Sequence, residues 1–300
     1  MALYPSTVQS TFPALWFARL QVAYRKAIVY GDVCNRQYEG EIREMGDTVR
    51  IQTVADITIN STYTRDAVIT GQSLTTTDMV LTITQSTNFN FKWDITNQKQ
   101  SAVKNIMEEA MSRSAYQMAD LQDQFIADTM VAGVATAAPD NTLTAVTDVG
   151  VGAGETDPYD ILVDLNTLLS QSSVPREGRW VIVPPWFAGE LAKVPARVSF
   201  GTVPNLAIFS GGYEGIDRVS GLRVYVSNNV PVTGGTTPTT GAYSIVAGHS
   251  DGITFANQLT KYKSAEQPDG FYTNNLGIML YGALANRPYA LASVAATKAA

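Results

Sequence analysis

Gly248-His249-Ser250-Asp251-Gly252 is the stretch whose residue types and spacing come nearest to catalysis. It satisfies G-x-S-x-G, the pattern that sets a nucleophilic serine on a sharp turn between a strand and a helix. The apolar run Tyr243 to Ala247 ahead of it reads as the required strand. Such a serine needs a histidine later in the chain as its general base. The one histidine here, His249, is adjacent to Ser250 and upstream of it, and neighbours on one turn point apart. Beyond the motif, Ile253-Thr254-Phe255 alternates like a strand where the nucleophile turn demands a helix. Asp251-Gly252 reads instead as a hairpin turn joining two strands. A soluble serine hydrolase using Ser250 therefore stands as an alternative that both facts oppose, and no catalytic residue is expected.

Other chemistries fare no better. One histidine and one cysteine argue against a soft-ligand metal site. Neither a P-loop nor G-x-G-x-x-G occurs, and Gly211-Gly212-Tyr213-Glu214-Gly215 reads as a surface loop. No metal and no cofactor are expected. Asp120 and Asp123, three residues apart, share a helix face and are expected to be solvated charges. Phe89, Phe91 and Trp93 have the rings to stack bases, but no basic groove accompanies them, so they are expected to form a hydrophobic cluster. Cys34 cannot form an intrachain disulfide, fits a reducing compartment, and is expected to be a partly buried, inert thiol rather than a reactive one.

Composition narrows the function class. Among 300 residues, 45% are hydrophobic and 16% charged, with a net charge of −6. The chain has no basic run and a pI near 4.9, which excludes a direct reader of nucleic acid. No apolar run is long enough to span a membrane. The N-terminus lacks the charged and apolar regions of a signal peptide. A surface poor in charge is usually covered by neighbours, which points to an assembly.

These residues must be carried by a small set of elements. The longest begins after the alternating Phe89, Phe91 and Trp93, where the chain turns at Asp94. Asn97 and Gln100 form a capping box. Apolar residues then recur at helical spacing from Val103 to Met130, and Gly133 reads as the stop. The result is a helix of roughly 36 residues, about 54 Å long. Upstream, residues 1–36 read as an arm whose helix, Ala14 to Val29, docks on its own core or on a neighbour. Thr48 to Val54 alternates as a strand and Met79 to Thr84 returns. Between them Asn60 to Asp78 is polar and rich in threonine. A two-stranded excursion of this kind is marginal alone in water, and its open edges need covering, so it is expected to lie on another molecule.

Residues 134–157 show no period and read as a loop. From Pro158 the pattern becomes α/β. A helix over Tyr159 to Leu169 is followed by a buried strand, Arg179 to Val183, and a short helix, Trp186 to Leu191. Strands are expected at Leu222–Ser227, Tyr243–Ala247, Ile253–Leu259, Phe271–Leu284 and Tyr289–Val294, and no internal repeat is present.

In this order of elements the chain resembles the major capsid (coat) proteins of tailed bacteriophages, with the Hong Kong 97-type fold. The resemblance is carried by the Gly46-to-Val49 strand that opens the excursion and by Trp93-Asp94 at its end. It continues through Gln98, Ala115, Ala119 and Asp123 on the long helix and Val174-Pro175 to Pro184-Pro185. Gly221 to Pro231 and the ending Tyr281-Gly282, Arg287-Pro288 and Leu291 complete it. It implies an α+β capsid fold. Residues 1–36 would be the N-terminal arm and 37–93 the E-loop with flanking peripheral-domain strands. Residues 94–150 would hold the spine helix of the peripheral domain, 151–250 a mixed α/β axial (A) domain, and 251–282 further peripheral-domain strands. Residues 283–300 would return to the A domain and form the tail.

The resemblance further implies a subunit that self-assembles into pentamers and hexamers of an icosahedral shell around double-stranded DNA held by confinement. The shell would be assembled in the bacterial host cytoplasm and reside in the virion, with no membrane. Implied partners are the chain itself, a scaffolding protein, a portal and a decoration protein. Tyr63, Arg65 and Asp66 of the E-loop are the expected inter-subunit contacts. Some members weld their shells through an E-loop lysine and an asparagine of a neighbour. Here no lysine lies between Lys26 and Lys92, so no such cross-link is expected. The chain begins directly with the arm, so a separate scaffold, or a leader already removed, is expected. Alternatives are an encapsulin-type nanocompartment shell protein and a tail or adhesin component.

Overall fold

A computed structural model describes residues 29–37, 48–54, 57–59, 65, 71–74, 76–94, 106–137, 140–193, 216–235, 237–266 and 270–299. The described chain opens with a single helical turn, α1 (Tyr30–Val33), then β1 (Thr48–Val54), β2 (Thr76–Thr82) and β3 (Gln85–Asp94). A long helix, α2 (Ile106–Val134), leads to β4 (Thr142–Val149), α3 (Pro158–Gln171), β5 (Arg179–Val183) and α4 (Pro185–Ala192). Next come β6 (Ile216–Val219), β7 (Leu222–Val226), β8 (Val232–Thr233) and β9 (Ala242–His249). The last strands are β10 (Thr254–Glu266), β11 (Tyr272–Leu284) and β12 (Leu291–Lys298).

Seven strands form the largest sheet, in the order β4-β12-β9-β5-β7-β6, with β8 beside β9. β5 shows why it holds together. All five of its residues are buried, as in a strand covered on both faces. Alternation sends Val181 and Val183 to one side, with Leu162, Leu165, Phe187 and Leu191 of α3 and α4. Trp180 and Ile182 go to the other, with Ile126, Ala127 and Met130 of α2. β9 divides in the same way: Ile245 and Ala247 face the α3 layer and Val246 faces α2. Each large apolar side chain so buried contributes about 1.5–3 kcal/mol.

Local chemistry fixes the ends of these elements. Asp157 caps α3 by accepting the Tyr159 N–H at 2.8 Å, with Pro158 in the first turn. At the other end of α3, the buried Arg179 donates to the carbonyls of Asn166 (3.1 Å), Val174 (2.6 Å) and Pro175 (2.9 Å). It also donates to Ser170 Oγ at 2.9 Å and to Asn166 Oδ1. A cation is favourable there because the helix C-terminus is the negative end of its dipole. Between β6 and β7, Ser220 and Gly221 both have positive φ, 53° and 84°, as a two-residue hairpin turn requires.

The other two sheets are antiparallel. β3 pairs with β11, and β11 pairs with β10. β1 and β2 form a separate ribbon, from Thr48↔Thr82 to Val54↔Thr76. Val49, Leu81 and Ile83 anchor its base against Ala256 and Leu280.

Some expectations fall outside the described residues and others need correcting. The long helix is described over 29 residues, about 44 Å; its expected cap, Asn97 and Gln100, and the arm helix from Ala14 lie outside the described residues. Gly133 is buried one residue before the helix ends. A Cβ there would run into the Ala285 side chain, so this glycine permits a close approach. Residues 134–157 are not all loop, since Thr142–Val149 is β4, parallel to β12. Asp251-Gly252 does not close a hairpin. β9 is already flanked by β12 and β5, so the chain leaves that sheet and continues as β10 in another.

Candidate functional site

The G-x-S-x-G stretch is a corner between two sheets. His249 ends β9, Ser250–Gly252 make one 3₁₀ turn, and β10 begins at Thr254. A strand follows the serine, as expected, where a nucleophile turn is followed by a helix. His249 Nδ1 accepts the Asp251 N–H at 3.2 Å and lies 3.6 Å from the Asp251 carboxylate. The ring is thereby committed to its own turn.

Of the expected contact residues, Arg65 lies on an exposed turn; Tyr63 and Asp66 lie outside the described residues. The described neighbourhood is informative. Ile57, Ile59 and Leu74 are 61%, 86% and 70% exposed, and Val80 on β2 is exposed too. Beyond the ribbon the Thr58 N–H donates to Gln72 Oε1 at 3.0 Å, and the bare apolar side chains stand among the exposed polar residues Thr58, Arg65, Gln72 and Ser73. Phe89 and Phe91 stack with ring centroids 6.0 Å apart. That fits the expected hydrophobic cluster; the side chain of Trp93 lies outside the described residues.

Sequence reasoning missed a buried polar site on the long helix. Asp120 and Asp123 are not solvated: they are 7% and 1% exposed. Asp123 Oδ1 accepts the backbone N–H groups of Val29 (3.1 Å), Tyr30 (2.7 Å) and Gly31 (3.4 Å). Its Oδ2 accepts from Asn229 Nδ2 at 3.0 Å, and the same nitrogen donates to Asp120 Oδ1 at 2.8 Å. One carboxylate of the long helix thus fixes α1 and the corner after β7. Burial raises the Asp123 carboxyl above its ordinary value against the pull of those hydrogen bonds. Cys34, beside it, donates to the Tyr30 carbonyl at 3.1 Å. Burial pushes its thiol far above the ordinary value, which disfavours the reactive thiolate. No local signal marked Asp123, because its donors lie 92 to 106 residues away.

A further buried carboxylate sits where α4 meets the end of β12. Glu190 of α4 meets Lys193 at 2.9 Å and Lys298 of β12 at 3.2 Å, beside a cleft of about 300 Å³. Burial works to raise its carboxyl, but the hydrogen bonds and charges of the two lysines outweigh it and hold the group below the usual range. Among the described residues no cluster of three metal-ligating side chains occurs, and no helix is long and apolar enough to cross a membrane.

The described residues thus form a sheet packed on both faces, a long helix tying distant segments together, and a two-stranded ribbon. Solved structures share this fold. A chain of Mycobacterium phage Che8 is 22% identical with a TM-score of 0.74, the match covering 94% of this chain and 96% of that one. The capsid of cyanophage P-SCSP1u gives 15% identity and a TM-score of 0.76 over 97% and 94%. The capsid of Ralstonia phage GP4 gives 12% and 0.67 over 95% and 94%. At these identities the likeness shows the fold, α+β of the Hong Kong 97 type. No curated protein matches the sequence. Residues 80–294 match the phage capsid protein family, and the chain belongs to that family.

Proposed function

We propose that this capsid protein is the major shell subunit of a tailed phage. It self-assembles into pentamers and hexamers that close an icosahedral shell around double-stranded DNA. The observation that carries the reading is the ribbon of β1 and β2. It leaves the body with Ile57, Ile59 and Leu74 bare beyond it, an arrangement that becomes stable when a neighbouring subunit covers it. The subunit is structural and not an enzyme. Its net charge of −6 suits a wall that holds DNA by confinement rather than by phosphate contacts.

In this reading residues 1–36 are the arm, 37–93 the E-loop region and 94–150 the spine-helix region. Residues 151–250 are the axial domain, 251–282 add peripheral strands and 283–300 return to the axial domain. Tyr63, Arg65 and Asp66 touch the neighbouring subunit. A scaffolding protein, a portal and a decoration protein are partners, and assembly takes place in the host cytoplasm. Negative-stain electron microscopy of the purified protein, alone and with its scaffold, tests this. Closed shells or rings of five and six subunits are expected. Open tubes or fibres, or closed particles filled with protein cargo in place of DNA, would contradict it.

A further inference from the structure

His249 is the one histidine of the chain. It stands at the corner where β9 leaves the large sheet and β10 enters the three-stranded one. We propose that His249 is a proton switch of this corner. Neutral, its ring holds the turn Ser250–Gly252 by accepting the Asp251 N–H; protonated, it releases that N–H and donates to the Asp251 carboxylate.

Hydrogen-bond valence sets the direction. His249 is the N-cap of the turn, and its Nδ1 accepts the Asp251 N–H at 3.2 Å. A ring nitrogen accepts only while it carries no proton, so the neutral ring holds its proton on Nε2. A second proton makes Nδ1 a donor as well. Two donors then face each other, and the bond that caps the turn is gone. An acceptor is at hand: the Asp251 carboxylate lies 3.6 Å from Nδ1, and its side chain is 52% exposed, with room to close that gap. The new bond, from imidazolium to carboxylate, is charge-assisted.

The rest of the corner is anchored. Gly252 is buried, and a Cβ there would lie 2.9 Å from the Leu291 side chain. Its carbonyl accepts the Arg287 N–H at 3.1 Å. The ring packs over Gly178, where a Cβ would come within 3.1 Å of Nε2. The exchange of partners thus falls on His249 and Asp251, in the turn that joins the two sheets.

The charged groups around the ring leave Asp251 as its partner. Arg179 of β5, opposite His249 in register, turns its guanidinium to the Asn166 and Val174 carbonyls at the end of α3. The turn before β5 adds Arg176 and Glu177, both exposed, and the turn before β12 adds the exposed Arg287. The carboxylate that pairs with the ring is that of Asp251.

Nuclear magnetic resonance of the full chain with labelled histidine tests the switch between about pH 5 and pH 8, the range in which histidine ordinarily titrates. With one histidine in the chain, one imidazole reports without overlap. The neutral ring should carry its proton on Nε2. As the ring takes its second proton, protection of the Asp251 amide, corrected for the intrinsic pH dependence of exchange, should fall about tenfold, the scale of one hydrogen bond lost. In His249→Asn the side chain can still cap the turn but cannot take up the proton, and the fall should vanish. A neutral ring protonated on Nδ1 would overturn the proposal. So would Asp251 protection that stays level across the titration of the ring, or a fall that persists in His249→Asn. The wild-type signals decide alone if the variant fails to fold.

Discussion

β5 buries all five of its residues between two helical layers, whereas β1 and β2 bury Val49, Ile51 and Leu81 at the base of their ribbon and leave Val80 bare. Beyond the ribbon Ile57, Ile59 and Leu74 are bare as well. Both regions are built from strands rich in β-branched residues. The difference lies in what covers them. The large sheet is closed by its own chain, through α2 on one face and α3 and α4 on the other. The ribbon is a two-stranded sheet with both outer edges unpaired among the described residues. On the proposed reading, such a subunit is stable in one part by itself and is completed in the other by its neighbours.

Variants in the two regions should therefore behave oppositely. The largest loss of subunit stability is expected from Leu165→Ala, at the centre of the α3 layer. It should cost about 2–5 kcal/mol in chemical denaturation of the free subunit. Replacing Arg179 by Met removes the donor to the carbonyls of Val174 and Pro175 and should cost roughly 3 kcal/mol.

Glu190→Gln sharpens the comparison where α4 meets the end of β12. The lysines that hold Glu190 are partly exposed, so at neutral pH the loss should be no more than about 1 kcal/mol. Because the Glu190 carboxyl is held low in the fold, its contribution is present above the ordinary carboxylate range. It disappears as pH falls through the lowered value. Thermal unfolding of Glu190→Gln should thus lack the part of the acid-side decline that wild type shows there.

Ile59→Ser combined with Leu74→Ser should change free-subunit stability by less than about 0.5 kcal/mol. Yet it should reduce the yield of closed particles in an assembly assay. A double variant that assembles normally would break the comparison. The smallest effect expected is none: tryptic mass spectra of mature particles should contain no Lys–Asn cross-link through the segment between Lys26 and Lys92, which has no lysine.

What could be read from the sequence follows from how far each signal reaches. The long helix, β5, β7, β9 and β11 announce themselves through spacing within one element, and the ribbon through two alternating runs with a polar stretch between them. β4 was missed because Thr142–Val149 has a broken alternation and earns its place by parallel pairing with β12. The Asp251-Gly252 corner was read as a hairpin because a turn signal says nothing about whether the preceding strand still has a free edge. Asp123 looked like an ordinary helix charge, since the groups that use it come from α1 and from Asn229. Local pattern gives elements; long-range pairing decides which polar residues are buried.

The central claim is that the ribbon is completed by a neighbour and the large sheet is not. Hydrogen exchange of the same protein, free and in assembled particles, measures this directly. The account expects Thr48–Val54 and Thr76–Thr82 to exchange far faster than Arg179–Val183 in the free subunit. In the particle they should become strongly protected, with Arg179–Val183 unchanged. Ribbon amides as protected in the free subunit as in the particle would contradict it.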